Sequence, residues 1–525
     1  MGIKGNKTNW GAAIRPALWL IGLLLLTGVG LQLFTDDDLS WPAYISMMVF
    51  YALIFGLGAY AARLRRGEDS DSFLLAGRRL PLLLAIFTMS ATWVGGGYIN
   101  GTAEYTYSSG LVWVQAPWGY ALSLILGGLL FARRMRQRRY RTLLDPLEER
   151  FGKRVAALFF LPALSGEVFW TAAILTALGT TFGAIAGLET HTAIVLSAVI
   201  TIAYTALGGL WAVALTDFIQ LMLLLLGLAL TVPFALQAVG GWPAAWAQYQ
   251  NDFGAAASFL PSREALGSYY WNWWDYALLL TFGGIPWQVY FQRVLASKDA
   301  DTAVRLSVLA GFVCLLAAVP AVLIGIAGQT ADWAAMGLEP PPDAASTLPW
   351  VVRYLTPGWA GVIGLGAVAA AVMSSADSSI LSASSMSGWN VYRPLFSPKI
   401  DPETLRKLIQ RVIWIVGIAA TLIALNIQSV YELWFLCSDF VYCLLFPALV
   451  CALFDPKANA AGAVAGFVVA FVLRFGGGDE TLGIPLLLPY PMVEDGVSLF
   501  PFRTTAMVAG LLSSLLVSRL RHFLG

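Results

Sequence analysis

The feature that most constrains this chain is the recurrence of apolar runs long enough to cross a bilayer. A hydrocarbon core of ~30 Å takes about 20 helical residues. About fourteen stretches approach that length, with limits near 16–34, 41–62, 80–107, 110–132, 156–187, 190–207, 211–238, 272–295, 303–328, 348–385, 408–425, 428–454, 458–475 and 503–518. Charged residues fall between these runs and make up 12% of the 525 residues, against 58% hydrophobic ones. A soluble domain carries about 25% charge. Lipid leaves no water for unpaired backbone groups, so runs of this kind predict an all-α integral membrane protein. The 348–385 run is too long for one plain span, and its end is expected to project into the cytoplasm. The first run follows Lys4, Lys7 and Arg15, as a signal peptide would. It has no convincing small-residue cleavage site and reads as a retained helix.

Loop charge sets the expected orientation. One set of loops holds Arg63, Arg65, Arg66, Arg78 and Arg79, the cluster Arg133, Arg134, Arg136, Arg138, Arg139 and Arg141, then Lys399, Arg406, Lys407, Arg519 and Arg521. The opposite set carries Asp36, Asp37, Asp38, Glu189, Asp332, Glu339, Asp479 and Glu480, with Arg263 nearly alone. Both termini are therefore expected in the cytoplasm. With 32 Lys+Arg against 31 Asp+Glu, no global charge points to nucleic acid. Cys314, Cys437, Cys443 and Cys451 all sit within apolar runs and form no disulfide or metal-binding pattern. The two histidines, His191 and His522, lie at run ends, which leans the driving ion away from a histidine proton relay.

Two spans look broken. The third contains Ala91-Thr92-Trp93-Val94-Gly95-Gly96-Gly97, and the eighth contains Gly283-Gly284-Ile285-Pro286-Trp287. Consecutive glycines weaken a helix, and proline removes a donor and clashes with the preceding turn. Paired interrupted spans running in opposite directions mark the binding site of a secondary transporter. Glycine-mediated helix packing would give the same pattern.

Residue types near these breaks suggest what is bound. Ala371, Ser374, Ser375 and Ser378 form one helical stripe in the tenth span. Hydroxyls there, with carbonyls of Ala91 and Val94 from the unwound third span, offer oxygen ligands to a hard cation. The same stripe also serves plain helix packing. Asp217 lies early in an apolar run and Asp377 follows the serine pair. Intramembrane carboxylates are expensive to bury and so are functional candidates, although Asp377 could simply cap or pair. Glu167 and Trp170 share a helical face. Trp93 and Trp287 sit at the two breaks, while Tyr120 and Trp170 lie well inside neighbouring spans. Interfacial belts account for most of the 20 tryptophans, but not for one at each break. Such rings attract quaternary ammonium groups, which have no proton to donate. Ordinary packing is the alternative.

At these residues the chain resembles the high-affinity choline transporter branch of the sodium:solute symporter family. The resemblance rests on SATWVGGGYINGTAE (Ser90–Glu104), QAPWGYALSLILGGL from Gln115, LDPLEERFGKR from Leu144 and LPALSGEVFW from Leu161. It continues in YTALGGLWAVALTDFIQL from Tyr204, GGIPWQVYFQRVL from Gly283 and AAVMSSADSSILSASSM from Ala370, and runs from about residue 40 to about 515. It implies a five-plus-five inverted-repeat transporter fold with extra N- and C-terminal helices. The divisions are then 1–38 (cytoplasmic segment and extra helix), 39–78 (a helix before the core), 79–238 (first repeat), 239–454 (second repeat with its preceding outer loop) and 455–525 (two C-terminal helices).

Carried over by resemblance, the main sodium site matches Ala91, Val94, Ala371, Ser374 and Ser375. A second sodium site, as in some relatives, matches Asp217, Asp377 and Ser378. The choline-binding aromatics match Trp93, Tyr120, Trp170 and Trp287. The branch is also chloride-dependent, with no chloride site assigned here. Three departures stand out: the additional first span, Cys437 where the animal proteins have a serine, and an end at Gly525 without a long tail. The last of these suggests a bacterial relative, expected in the inner membrane. The expected function is sodium-coupled import of choline or a similar quaternary amine by alternating access. The alternatives are sodium symport of an amino acid or betaine, and a sensor on a transporter fold. No nucleophile–base pair points to an enzyme.

Overall fold

The structure is a computed structural model that describes residues 10–34, 39–64, 70–427 and 429–524. The charges Asp36, Asp37, Asp38, Arg65 and Arg66 used above for orientation lie outside the described residues. Within them the chain is almost wholly helical, and a two-residue antiparallel ribbon, Val493–Glu494 with Val497–Ser498, is the only strand pair.

Helix α1 (Trp10–Phe34) packs along α2 (Trp41–Leu64), where the Tyr44 hydroxyl donates to the Leu24 carbonyl at 2.8 Å. The third span is broken where its glycines lie. Helix α3 (Leu82–Trp93) ends at Val94 and α4 (Gly96–Ser108) leaves at 51°. Helix α5 (Ala116–Leu126) runs on through a π-helical Gly127–Ala132. After α6 (Lys153–Ala186), one helical stretch, α7 (Thr190–Ala238), contains two expected spans. They join at Gly209, whose φ of 67° suits glycine and whose Cα faces the Phe73 ring.

The eighth span is also cut, into α8 (Tyr270–Gly283) and α9 (Gln288–Ala296), with Pro286 in the gap. Then come α10 (Ala300–Thr330) and α11 (Gly358–Met386). The long 348–385 run is thus two pieces. Its start is a separate short helix, Thr347–Tyr354, beside the end of α10, and Pro357 begins the true span. The span continues past Met386 through a π-helical Ser387–Tyr392. Helices α12 (Pro402–Ala424) and α13 (Val430–Phe440), the latter running on through a π-helical Val441–Leu445 into helical Phe446–Phe454, are followed by α14 (Ala460–Gly476) and α15 (Phe502–Leu524).

Among the described residues seven helices are long and apolar enough to cross a membrane, or eight counting the bent α3–α4 pair. Leu18–Leu33, Met47–Leu57, Thr190–Ala203 and Ala460–Gly476 are shorter apolar helices. The expected spans 272–295 and 503–518 are helical but less apolar. The first is split and carries Asp275 and Arg293, and the second begins at Arg503.

Hydrogen bonds gather the basic loops at one end. Arg78 donates to the carbonyls of Leu295, Arg139 and Tyr140, and Arg136 to those of Ser297 and Lys298. Lys153 reaches the Pro394 carbonyl and Arg519 pairs with Asp455. The opposite end is less poor in arginine than the loop reading supposed. Arg474 and Arg503 lie there but are held inside by Asp439, Asp275 and Asp479. Paired and buried, they are structural charges rather than loop charges.

Helices α7 and α11 pack against each other along much of their length, and α11 also lies on α6 and on the α3–α4 break. That last contact needs small residues. A Cβ on Gly96 would stand 2.6 Å from the Ala177 Cβ and 2.7 Å from a Val372 methyl. Gly96→Ala is therefore expected to destabilise the detergent-purified protein by about 1–3 kcal/mol, as overpacking does. Gly366→Ala, in α11 with nothing within 4 Å, is expected to leave stability unchanged or raise it by up to ~1 kcal/mol. Thermal or denaturant unfolding of the two variants compares them, and equal stability would show that the break tolerates a wider gap.

Candidate functional site

The third-span break delivers backbone oxygens to α11. Val94 adopts φ −85° and ψ 57°, far from helical values, so the hydrogen-bond ladder stops there. The Ser374 hydroxyl donates to the Ala371 carbonyl at 2.7 Å and lies 3.0 Å from that of Ala91. The Ser375 hydroxyl donates to the Thr92 carbonyl at 2.8 Å and lies 3.3 Å from that of Ala91. Three carbonyls (Ala91, Thr92, Ala371) and two hydroxyls thus make a cluster of five oxygens. All lie on buried residues. The structure brings together Ala91, Ala371, Ser374 and Ser375 of the expected set, and Val94 lies at the break beside them. The Thr92 carbonyl was not among the expected ligands. Gly95 allows the approach, because a Cβ there would overlap the Ser375 side chain.

One turn further along α11, Asp377 and Ser378 meet Asp217 of α7. Thr88 of α3 donates to Asp217 Oδ2 at 2.5 Å. Ser378 donates to the Ser374 carbonyl at 3.0 Å and lies 3.2 Å from Asp377 Oδ1. A further residue, Arg293 of α9, enters the same place. Its Nη2 donates to Ser378 Oγ at 2.6 Å and lies 3.5 Å from Asp217 Oδ2. The sequence signal for it was present: an arginine inside an expected span is itself a functional candidate. Glu167 of α6 is the next buried acid, accepting from Ser379 at 3.0 Å. Asp217 Oδ1 and Glu167 Oε1 have no hydrogen-bond partner among the described residues.

The four expected aromatics meet. Trp93 lies 4.8 Å from Tyr120, 5.9 Å from Trp170 and 6.2 Å from Trp287 between ring centroids, and Trp170 lies 5.4 Å from Trp287. Each is at most 3% exposed. They come from α3, α5, α6 and the break before α9, so the two broken spans supply one ring each. Trp287 Nε1–H donates to the Gly283 carbonyl at 2.7 Å, which fixes one ring against its own break. A fifth ring, Trp434 of α13, stacks on Tyr120 at 4.7 Å; it lies at no helix break, so nothing in its local sequence marks it. Tyr120 also shares a hydrogen bond with Ser438. Cys437 turns its thiol to the Trp434 carbonyl at 2.8 Å, so the neighbouring serine supplies the hydroxyl that touches the aromatics.

Residues 73–470 match the Sodium:solute symporter family. The chain is 45% identical over 495 residues to a protein named High-affinity choline transporter 1 from Caenorhabditis elegans, covering 90% of this chain and 84% of that one. It is 46% identical over 501 residues to High affinity choline transporter 1 from Homo sapiens, covering 91% and 85%. A solved structure described as the substrate-bound, outward-open state of a Na+-coupled sialic acid symporter superimposes with a TM-score of 0.75 at 20% identity. That match covers 91% of this chain and 97% of the other, and shows a shared fold. The chain is a multi-pass membrane transporter, not an enzyme, and it belongs to the sodium:solute symporter family.

Proposed function

We propose that this symporter imports choline, or a small quaternary amine like it, with sodium as the driving ion. The observation that carries the reading is the aromatic cluster, in which both broken spans place a tryptophan beside rings from two intact helices. A trimethylammonium group cannot donate a hydrogen bond and is recognised by ring faces within about 6 Å of a centroid. The relatives named choline transporters support the same substrate.

In this reading sodium enters the oxygen cluster at Ala91, Thr92, Ala371, Ser374 and Ser375, with Val94 at its edge. The serine protons, now directed at carbonyls, rotate away, and the freed lone pairs and carbonyls turn to the ion. No charged ligand is needed, which suits an ion that must leave again. Residues 79–238 and 239–454 form the two inverted repeats, and each contributes one broken span at its start. The basic end faces the cytoplasm, with both termini there. Alternating access then means that the site opens to one side of the membrane at a time.

Two experiments test this. In proteoliposomes with an inward sodium gradient, Trp170→Ala is expected to weaken choline binding by about 1–2 kcal/mol, the range for a desolvated cation–π contact. Trp170→Phe should lose less. Equal loss in both would point to shape rather than ring electrostatics, and tighter binding of an uncharged or zwitterionic solute would remove choline as the substrate.

The second concerns coupling. Trp93, a cage ring, lies on the same short stretch as the Ala91 and Thr92 carbonyls, so ordering that backbone for one ligand orders it for the other. Linkage makes the effect reciprocal, typically about 1–3 kcal/mol. Sodium is expected to tighten choline binding, and Ser374→Ala with Ser375→Ala to make the remaining choline binding sodium-independent. Wild-type choline isotherms that superimpose with and without sodium would exclude this coupling.

A further inference from the structure

A groove of about 700 Å³ opens between α5, α8, α10 and the loop 254–262, and among the described residues its lining side chains are all apolar. It lies in the half of the bundle away from the basic loops. Helix α10 starts beside Lys298, and the groove takes Leu315, Val319 and Leu323 from its later turns, one stripe at intervals of four. Val319 is 49% exposed and Leu316, outside the lining, 65%, so the groove is continuous with surface that faces lipid tails. Trp118 of α5 and Trp273 of α8 stack at 5.7 Å within it. The Trp273 indole N–H donates to the Val112 carbonyl at 2.6 Å, and the Trp273 carbonyl accepts from Gln115 at 2.9 Å, so its polar atoms are engaged elsewhere. The remaining wall is a strap of chain. Ala257 and Leu266 are buried at its ends, while Phe259 and Leu260 between them stand exposed. The Ser258 hydroxyl accepts from the Leu260 N–H at 3.1 Å and the Ser262 hydroxyl from that of Ala265 at 3.0 Å, which holds the strap in shape. Apolar side chains displayed by a fixed loop gain nothing in water and much in hydrocarbon.

At this depth the available apolar partner is a lipid tail, and a lipid that stays is told from one that passes by a fixed place for its head. Arg263 follows the strap directly, is exposed, and holds its guanidinium 5.2 Å above the Tyr270 ring. Glu264 comes next, so the pair complements a head that carries both a phosphate and an amine. We propose that the groove holds an acyl chain of one membrane phospholipid, whose phosphate is bound by Arg263. The volume falls within the range of about 300–1,000 Å³ common to sites for small molecules. The position gives the lipid a part in the site. Pro117 and Trp118 line the groove two residues before Tyr120 of the aromatic cluster, and Trp273 stands on α8, which ends at the break carrying Trp287. Gly119 lets α5 close on α8 beside it, since a Cβ there would stand 2.7 Å from that of Leu280. The bound chain therefore seals the seam between the two helices from the membrane side.

The test does not depend on which solute is carried. Full-length protein in detergent, stripped of native lipid, is titrated with a phosphatidylethanolamine, and bound lipid is counted by native mass spectrometry. One lipid is expected to bind more tightly than the rest. Val319→Trp, which puts a ring in the groove, is expected to weaken that first binding about tenfold, the equivalent of about two methylenes left unburied. Leu316→Trp, on the same helix but outside the groove, should leave it unchanged. Arg263→Gln should weaken it about threefold, as loss of an exposed ion pair does, and leave a diacylglycerol with the same chains unaffected. If Val319→Trp does not fold, Leu315→Trp from the same stripe takes its place. Equal effects of the groove variant and Leu316→Trp would reduce the contact to ordinary lipid solvation and overturn the proposal. A diacylglycerol bound as tightly as the phospholipid would overturn the phosphate contact at Arg263. A wild-type dimer that Val319→Trp makes monomeric would give the groove to a second copy of this chain instead.

Discussion

The serine hydroxyls of α11 reach the carbonyls of Ala91 and Thr92 only because Gly95 and Gly96 let two backbones come together. Within lipid, a span can stop being helical only where its freed polar groups find partners inside the protein. Here the partners are Ser374 and Ser375, and the same arrangement that satisfies the break gathers oxygens suited to a small hard cation. The two requirements are one. Remove the hydroxyls and the unwound backbone loses its partners; remove the glycines and the hydroxyls cannot approach. The bend of 51° between α3 and α4, the position of Trp93 and the contact of α11 with the break all depend on this junction.

How much of this was legible in the sequence depended on how local the signal was. The breaks were readable because glycine and proline act on their own backbone, and Gly95 and Pro286 lie in the gaps between helices in the structure. The serine stripe was readable because helical periodicity fixes which residues share a face. Limits set by tertiary contact were not. The 348–385 run looked continuous, yet Pro357 splits it, because apolar residues of a short helix beside α10 are as hydrophobic as those of a span. Thr92 escaped notice because a backbone carbonyl leaves no mark on residue type. Arg293 stood in plain view, but what it pairs with comes from α3, α7 and α11, and no pattern along one chain segment brings those together.

The aromatic cluster follows a different logic from the oxygen cluster. Its rings come from four places in the chain and touch mainly each other, so the site is defined by packing instead of by hydrogen-bond direction. Only Tyr120 and Trp287 are fixed by hydrogen bonds, to Ser438 and to the Gly283 carbonyl. A site of this kind recognises shape and charge together. It also sits directly against α13, whose Trp434 stacks on Tyr120.

That neighbour has a consequence for where the working unit ends. Ser438 and Trp434 stand just before Asp439, whose carboxylate is held by Arg474 at 2.6 Å and by Arg503 at 2.9 Å. Both arginines lie beyond residue 470, where the match to the family stops. Arg503 also lies 3.8 Å from Asp275, on the helix that leads into the second break. The segment outside the shared family region is therefore not an appendage. Two buried acids of the shared core depend on it for their counter-charges, and a buried acid stripped of its partner destabilises everything around it. A core cut off from the residues beyond 470 would hold Asp275 and Asp439 inside a bilayer with no arginine to balance them.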